Sequence, residues 1–207
     1  MLLAIGLTVL LSWRIGRGKG SVFIWLAMIA SLAFPLELYG YITTLHERNN
    51  TMLYNLFAAA EFLMVLLMLR AWHPGWTLRL LLAGAIGLAG AAWNLLQLSS
   101  PDEMLVEAIM RFALLITALL ALALWRMANT STLPLHRLPE FWLFMGMLLY
   151  FGAMPPVVAM ARYIWNVDFE LATLLWSLVP ALCTIRYILA AYACWLQRTR
   201  PLEPTDG

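Results

Sequence analysis

The chain has 207 residues, of which 63% are hydrophobic and only 12% are charged, and its mean hydropathy is +0.82. Soluble domains are roughly 45–50% apolar and about 25% charged, so the composition excludes an ordinary soluble protein. The formal net charge is only +2, and no nucleic-acid partner is predicted. The lipid bilayer is the predicted surrounding of most of the chain.

Seven apolar segments predict membrane-spanning helices, because about 20 apolar residues in a helix cross ~30 Å of hydrocarbon. They lie, in chain order, at about 1–16, 21–46, 52–71, 77–98, 103–126, 140–161 and 169–196. The first is the shortest and needs Arg14 and Arg17 to reach the headgroups, or a locally thin bilayer. None shows the alternation of a membrane barrel. The predicted fold class is all-α, a polytopic bundle of seven transmembrane helices.

The segments leave no room for a soluble domain between them. The longest connection, at 127–140, is polar and contains proline. We therefore predict one transmembrane domain over residues 1–196 and a short cytoplasmic tail over 197–207.

Basic residues are distributed unevenly between the two sets of connections. Successive connections lie on alternate sides of the membrane and so form two sets. One set holds only Arg48 and Arg162. The richer set holds nine basic residues: Arg14, Arg17, Lys19, Arg70, Arg79, Arg126, Arg137, Arg198 and Arg200. By the positive-inside rule the richer set is cytoplasmic, which predicts an N-terminus outside and a C-terminus inside. The predicted location is the inner (cytoplasmic) membrane, as a multi-pass protein.

Charged side chains inside four of the spans contradict the apolar pattern. Each costs on the order of 3 kcal/mol at mid-membrane and is expected to face a partner inside the bundle. Glu37 lies nine residues from the end of the second span and Glu61 nine residues from the start of the third. At about 1.5 Å per residue both are ~13 Å deep. The two carboxylates are predicted to share one layer.

Two arginines are candidate partners for this layer. Arg111 lies at a similar depth in the fifth span, with Glu107 one helical turn before it as polar support. A guanidinium at that level can bridge the two carboxylates, whose helices are predicted to be neighbours, and the alternative is that no arginine reaches them. Arg186 lies further along the seventh span and is expected to join a separate inner network or to extend toward the headgroups.

Further polar side chains near the same end of the spans predict a pocket open to the outer side. The hydroxyls of Tyr54 and Tyr150 and the side-chain amides of Asn55 and Asn94 supply hydrogen-bonding groups. Small residues beside them permit close helix packing. The predicted ligand-binding or proton-coupling residues are Glu37, Glu61, Arg111, Asn55, Tyr54, Tyr150 and Asn94, with Glu107 and Arg186 as polar support. A packed polar clasp between helices remains the alternative to a cavity.

Several chemistries lack the residues they need. Lys19 is the one lysine and is predicted to be cytoplasmic, which excludes a retinal Schiff base within the bundle. The three histidines lie at span ends or in loops, so no metal site and no cofactor are predicted. Cys183 and Cys194, eleven residues apart on one helix, cannot form a disulfide with each other. A lipid enzyme using Glu37 and Glu61 stays an open alternative, but no reaction is predicted.

Two stretches of sequence resemble a known group of proteins. YNLFAAAEF at 54–62 together with PEFWLFMGMLLYFGA at 139–153 resembles small uncharacterised seven-helix membrane proteins of bacteria. The resemblance covers two helices and brings no established activity. It implies only that Asn55, Glu61, Trp142 and Tyr150 are the pattern positions.

Seven spans also fit three helices, a linker helix and three more, which is the topology of some sugar transporters. LYG at 38–40 is loosely repeated by LYFG at 149–152 in the second and sixth spans. The proline-glutamine signature of those transporters is missing, so an internal duplication stays a hypothesis.

Three functions are compatible with these features. The first is a receptor-like protein whose outward-facing polar and aromatic pocket binds a small ligand and signals to a membrane or cytoplasmic protein partner. The second is a small secondary transporter, proton-linked through Glu61 or Glu37, with a homodimer as an open alternative. The third is a non-catalytic membrane scaffold whose buried charges contact another protein.

Overall fold

Each predicted segment forms one helix in the computed structural model, which describes residues 1–16, 21–46, 49–97, 100, 103–165 and 167–199. The helices are α1 (Leu2–Gly16), α2 (Ser21–Leu45), α3 (Thr51–Trp72), α4 (Thr77–Leu96), α5 (Val106–Thr130), α6 (Pro139–Ile164) and α7 (Phe169–Thr199). Single 3-10 turns at Pro74–Trp76 and Leu135–Arg137 precede α4 and α6. The predicted all-α class is confirmed for the described residues.

The boundaries differ from the predicted ones by a few residues. The largest difference is at α5, which ends at Thr130 and not at 126, and α7 continues through the predicted tail boundary to Thr199. The predicted tail beyond that point lies outside the described residues, as do Arg17, Lys19 and Arg48.

Six of the seven helices are long and apolar enough to cross a membrane: Val22–Thr43, Thr51–Trp72, Pro74–Leu96, Val106–Thr130, Pro139–Ile164 and Phe169–Thr199. The remaining apolar helix, Leu2–Ile15, is shorter. At about 1.5 Å per residue its axis is ~22 Å long, less than the ~30 Å of a bilayer core. Length and composition therefore indicate a multi-pass membrane protein and leave the crossing by α1 as a prediction.

Large apolar side chains cover the outside of the bundle. Leu3 is 90% exposed, Leu78 71% and Leu96 81%, and they belong to a much larger set of exposed leucines and aromatic residues. A soluble monomer rarely exposes contiguous apolar surface beyond a few hundred Å². Contact with lipid tails gives these side chains an apolar surrounding, so the surface agrees with the helix lengths.

Six helices form a closed ring. Going around it, the neighbours in contact are α1, α2, α3, α5, α6 and α7, and α7 packs against α1 to close the circle. The remaining helix, α4, packs on the outside against α3 and α5. In this order α1 lies opposite α5, α2 opposite α6 and α3 opposite α7. The ring thus has the helix order that two three-helix units joined by α4 would give.

The short α1 is held in the ring by hydrogen bonds at two levels. The buried Thr8 hydroxyl lies 2.9 Å from the Tyr187 carbonyl oxygen on α7 and 2.8 Å from that of Ala4. Trp13 Nε1 donates to Ser31 Oγ on α2 at 2.9 Å. Because these contacts connect α1 to both of its neighbours, the helix is an integral part of the ring.

The two cysteines behave as the sequence predicts. Cys183 and Cys194 are both buried in α7 and both are free thiols. The prediction that they form no disulfide with each other is confirmed.

Glycines allow α4 to pack closely on the ring. The Phe62 and Phe112 rings of α3 and α5 are stacked, with centroids 4.4 Å apart and an interplanar angle of 16°. A Cβ atom added at Gly87 would lie 2.6 Å from Phe62 Cζ and 3.3 Å from Phe112 Cδ1. At Gly84 the nearest atom to such a Cβ would be Leu66 Cδ1 at 3.4 Å. Gly87 is therefore required by the aromatic stack, whereas Gly84 has more room.

We predict that Gly87→Ala destabilises the protein by about 1–3 kcal/mol, because the new methyl group overpacks two stacked rings that cannot easily move. Gly84→Ala serves as the matched control on the same helix and should change the stability much less. Thermal unfolding of both variants in mild detergent measures the effect, and equal stability of the two would contradict this account.

Candidate functional site

A buried ion pair joins α3 and α7 across the ring. Arg186 Nη1 lies 2.7 Å from Glu61 Oε1, and the two side chains are 3% and 8% exposed. In the described part of the chain α3 and α7 share no extensive helix interface, so these long side chains make the connection. Opposite charges in a low-dielectric interior attract strongly, and each also removes the penalty of burying the other alone.

The arginine in this pair is not the predicted one. The expectation that Arg111 bridges Glu37 and Glu61 is wrong, since Arg111 Nη1 instead donates to Asn94 Oδ1 at 3.2 Å. The expectation that Arg186 lies apart from the carboxylates is also wrong. The distance of Arg186 from the start of α7 is a poor guide to its depth, because this helix has 31 residues and is longer than a bilayer requires.

Three aromatic rings enclose the Arg186 guanidinium. Its central carbon lies 5.0 Å from the ring centroids of Tyr150 and Phe151 and 5.1 Å from that of Tyr187. Ring faces attract cations at such distances, and more strongly without water. The contact with Glu61 is close but lacks good hydrogen-bond geometry, and Arg186 Nη2 has no hydrogen-bond partner among the described residues. Both side chains of the ion pair therefore have buried polar atoms that form no hydrogen bond with the described residues.

A second polar cluster connects α4 to α5. Asn94 Nδ2 donates to Glu107 Oε2 at 2.8 Å, while Asn94 Oδ1 accepts from Arg111. The Arg111 side chain lies directly over Gly90, where any Cβ atom would collide with it. Asn94 thereby links Glu107 and Arg111, which lie one turn apart on α5. Because Asn94 belongs to α4, the cluster attaches α4 to the ring.

Asn55 fixes the segment that leads into α5. Its Nδ2 donates to the Glu103 carbonyl oxygen, and its Oδ1 accepts from the Leu105 backbone N–H, both at 3.0 Å. Both ends of the amide are therefore used in a structural contact. Met104, which lies between these two anchored residues, is positioned at the neighbouring cavity.

A cavity of about 260 Å³ lies beside the ion pair. Its walls come from α2, α3, α5, α6, α7 and the segment before α5, and its polar lining comprises Glu37, Tyr54, Glu61 and Tyr150. Its apolar lining comprises Phe57, Ala58, Met104, Ile109, Phe112, Ala113, Ile116, Phe151, Met154, Trp176 and Val179. The cavity is thus mostly aromatic and aliphatic with a few acidic and hydroxyl groups, as small-molecule sites commonly are.

Glu37 and Tyr54 form one wall of this cavity. The Tyr54 hydroxyl donates to Glu37 Oε2 at 3.3 Å, and it occupies the space that a side chain at Gly40 would need. The same two residues also line a groove beside Met1, Leu2 and Leu3 at the start of α1. This hydrogen-bonded pair therefore lies between the cavity and a groove at the end of the bundle.

Two prolines leave backbone acceptors at residues of the cavity wall. Pro155 and Pro180 lie inside α6 and α7, and a proline lacks the N–H that would bond the carbonyl four residues earlier. Those carbonyls belong to Phe151 and Trp176, which both line the cavity. Each of these prolines thus removes one helical hydrogen bond from a residue of the cavity wall.

The structure divides the predicted site residues into two groups. Glu37, Tyr54, Glu61 and Tyr150 line one cavity, and Arg186 lies behind Glu61. Asn55, Asn94, Glu107 and Arg111 lie outside it in the contacts between α3, α4 and α5. Their predicted role in ligand binding or proton coupling stays a prediction for both groups.

Sequence reasoning missed most of the apolar wall. Trp176, Phe112 and Met154 were not among the predicted site residues. Trp176 does carry a signal, since it lies well inside a predicted span and not near a boundary, where membrane tryptophans are usually found. The others have ordinary core side chains that no pattern separates from packing.

Among residues 1–16, 21–46, 49–97, 100, 103–165 and 167–199, no group of three or more histidine, cysteine, aspartate or glutamate side chains could hold a metal ion. Comparisons of the chain with protein-family models, with curated proteins and with solved structures find no match. The function is therefore argued from the geometry of the cavity.

A double-mutant cycle tests how strongly the ion pair contributes to stability. We expect Glu61→Gln or Arg186→Leu alone to lower the free energy of unfolding by about 3–5 kcal/mol, because each change leaves the other charged side chain buried without its partner. The double variant should cost clearly less than the sum of the two single changes. Thermal unfolding in detergent measures all four proteins, and strictly additive losses would show that the two side chains do not interact.

Proposed function

We propose that this protein is a multi-pass protein of the cytoplasmic membrane that binds a small ligand in the cavity between α2, α3, α5, α6 and α7. All seven helices cross the bilayer in this proposal, with the N-terminus outside and the C-terminus in the cytoplasm. The charge distribution supports that orientation. Among the described basic residues near helix ends, Arg162 lies at the proposed outer end, and six lie at the proposed cytoplasmic end: Arg14, Arg70, Arg79, Arg126, Arg137 and Arg198. The cavity then opens toward the outer side.

The observation that carries the proposal is the cavity beside a buried ion pair. A purely structural clasp would gain from filling that space, since unfilled apolar volume is destabilising. Here about 260 Å³ stays open next to two carboxylates and two phenolic hydroxyls. Acidic and hydroxyl groups facing a space lined by aromatic rings suit a ligand with one polar end and an apolar body.

Ligand binding in this cavity can change the relative positions of helices and so signal to a partner. Glu61 and Arg186 connect the opposite helices α3 and α7, so a ligand that contacts Glu61 acts on both. A protein partner in the membrane or the cytoplasm would read the resulting state, which is the sensing function proposed from the sequence.

Binding is tested with a panel of fragments that carry one aromatic ring and an amine, alcohol or carboxylic acid. We expect some of them to raise the melting temperature of the purified protein, because a ligand that binds the folded state stabilises it. Ala58→Phe, which fills the cavity, should abolish that effect, while Ala89→Phe on the exposed face of α4 should preserve it. Stabilisation that survives Ala58→Phe would contradict binding in this cavity.

The ring order favours transport as a second candidate function. Equivalent positions in the two three-helix units would be occupied by α2 and α6, which both contain proline inside the helix, and by α3 and α7, which hold the ion pair. Transporters built from repeats bind their substrates at the interface of the two units. The cavity and the ion pair lie between these units here.

Reconstitution into liposomes separates transport from sensing. If the protein is a proton-linked transporter, a pH gradient should drive uptake of a cavity-binding fragment, and Glu61→Gln should abolish the coupling while Glu140→Gln leaves it intact. Retained binding without any flux would reject transport and favour sensing.

A further inference from the structure

We propose that the ligand of this cavity is a small organic monocation, an ammonium group on an apolar or aromatic body, with Glu37 as its counter-ion. The inference rests on the proposed function and adds the chemical class of the ligand. It is carried by the balance of charges at the cavity and by the chemistry of its walls.

The cavity has one carboxylate more than it has cations. Glu37 and Glu61 both line it, and Arg186 forms its ion pair with Glu61. Among the described residues no basic side chain lies within 4 Å of Glu37, whose described partner is the Tyr54 hydroxyl at 3.3 Å. Glu37 is half-buried and faces a largely apolar cavity. A positive partner stabilises the charged form of such a carboxylate, and a bound cation would supply it.

Arg186 does not offer its charge to the cavity. The guanidinium lies behind Glu61 and between the rings of Tyr150, Phe151 and Tyr187, and it is absent from the lining. An anionic ligand would therefore meet Glu37 and Glu61 before any positive group. Like charges at close range in an apolar surrounding repel strongly, so the site selects against anions.

The rest of the wall suits a cation with an apolar body. Phe57, Phe112 and Trp176 line the same space as Tyr150 and Phe151, and aromatic faces hold ammonium groups, with tryptophan the strongest. The volume is slightly below the ~300–1,000 Å³ of drug-sized sites, so the cation is small.

The groove beside α1 gives such a ligand a route to Glu37. Glu37 and Tyr54 line both the groove and the cavity, so a cation in the groove meets the same carboxylate that would hold it inside. Displacement of the Tyr54 hydroxyl by the ammonium group would replace a hydrogen bond from a neutral donor to Glu37 with a hydrogen-bonded ion pair.

Three probes with similar bodies and different charges test the proposal at pH 7: 2-phenylethylammonium, 2-phenylethanol and 3-phenylpropionate. Isothermal titration calorimetry of the purified full chain in detergent measures their affinities. We expect the ammonium to bind about tenfold or more tightly than the alcohol, and the carboxylate to bind worst. Glu37→Gln should remove the preference for the cation, whereas Glu170→Gln, an exposed carboxylate at the start of α7, should preserve it.

A second variant keeps the test decisive if Glu37→Gln fails to fold. Trp176→Leu retains an apolar side chain but removes a ring face, and should lower the affinity for the ammonium by about threefold while affecting the alcohol less. A preference for the alcohol or the carboxylate, or a cation preference that survives Glu37→Gln, overturns the proposal.

The same titrations separate this inference from the proposed function. If the alcohol or the carboxylate binds best and Ala58→Phe abolishes that binding, the cavity is a ligand site and only the cationic class is wrong. If binding of every probe survives Ala58→Phe, the cavity is not the site and both proposals fail.

Discussion

The ion pair between Glu61 and Arg186 is the constraint on which the rest of the bundle depends. Two charges in an apolar interior are tolerated only together, because the desolvation penalty of either one alone is several kcal/mol. Their 2.7 Å contact fixes the separation of α3 and α7 at the middle of the ring. The aromatic rings around Arg186 and the cavity beside Glu61 both adjoin this contact, so any change in the ion pair acts on both.

The sequence predicts the helices well and the contacts between them poorly. Helix positions follow from runs of apolar residues that must match the thickness of a bilayer, and all seven were found within a few residues. Which side chains meet depends on the rotation, tilt and overhang of each helix. Arg186, and not Arg111, pairs with Glu61. The depth of a residue depends on how far its helix extends beyond the bilayer, and α7 is 31 residues long.

The candidate site was predictable only in its polar half. Glu37, Glu61, Tyr54 and Tyr150 stand out because polar groups in an apolar span need a reason to be there. Asn55 and Asn94 stand out equally, but their amides are used to hold the segment before α5 and the outer helix. Phe112 and Met154 carry no such signal, since an aromatic or thioether side chain looks the same in a wall as in a packed core.

The position of α4 outside the ring separates the residues that shape the cavity from those that form the outside of the bundle. The helix contributes no residue to the cavity in the described structure, and its contacts are made by Gly87, Gly90 and Asn94 against α3 and α5. Substitutions on five other helices can therefore change the shape or charge of the cavity without touching α4. Conversely, the exposed leucines of α4 can be replaced to suit a different lipid or a neighbouring protein without altering the cavity lining.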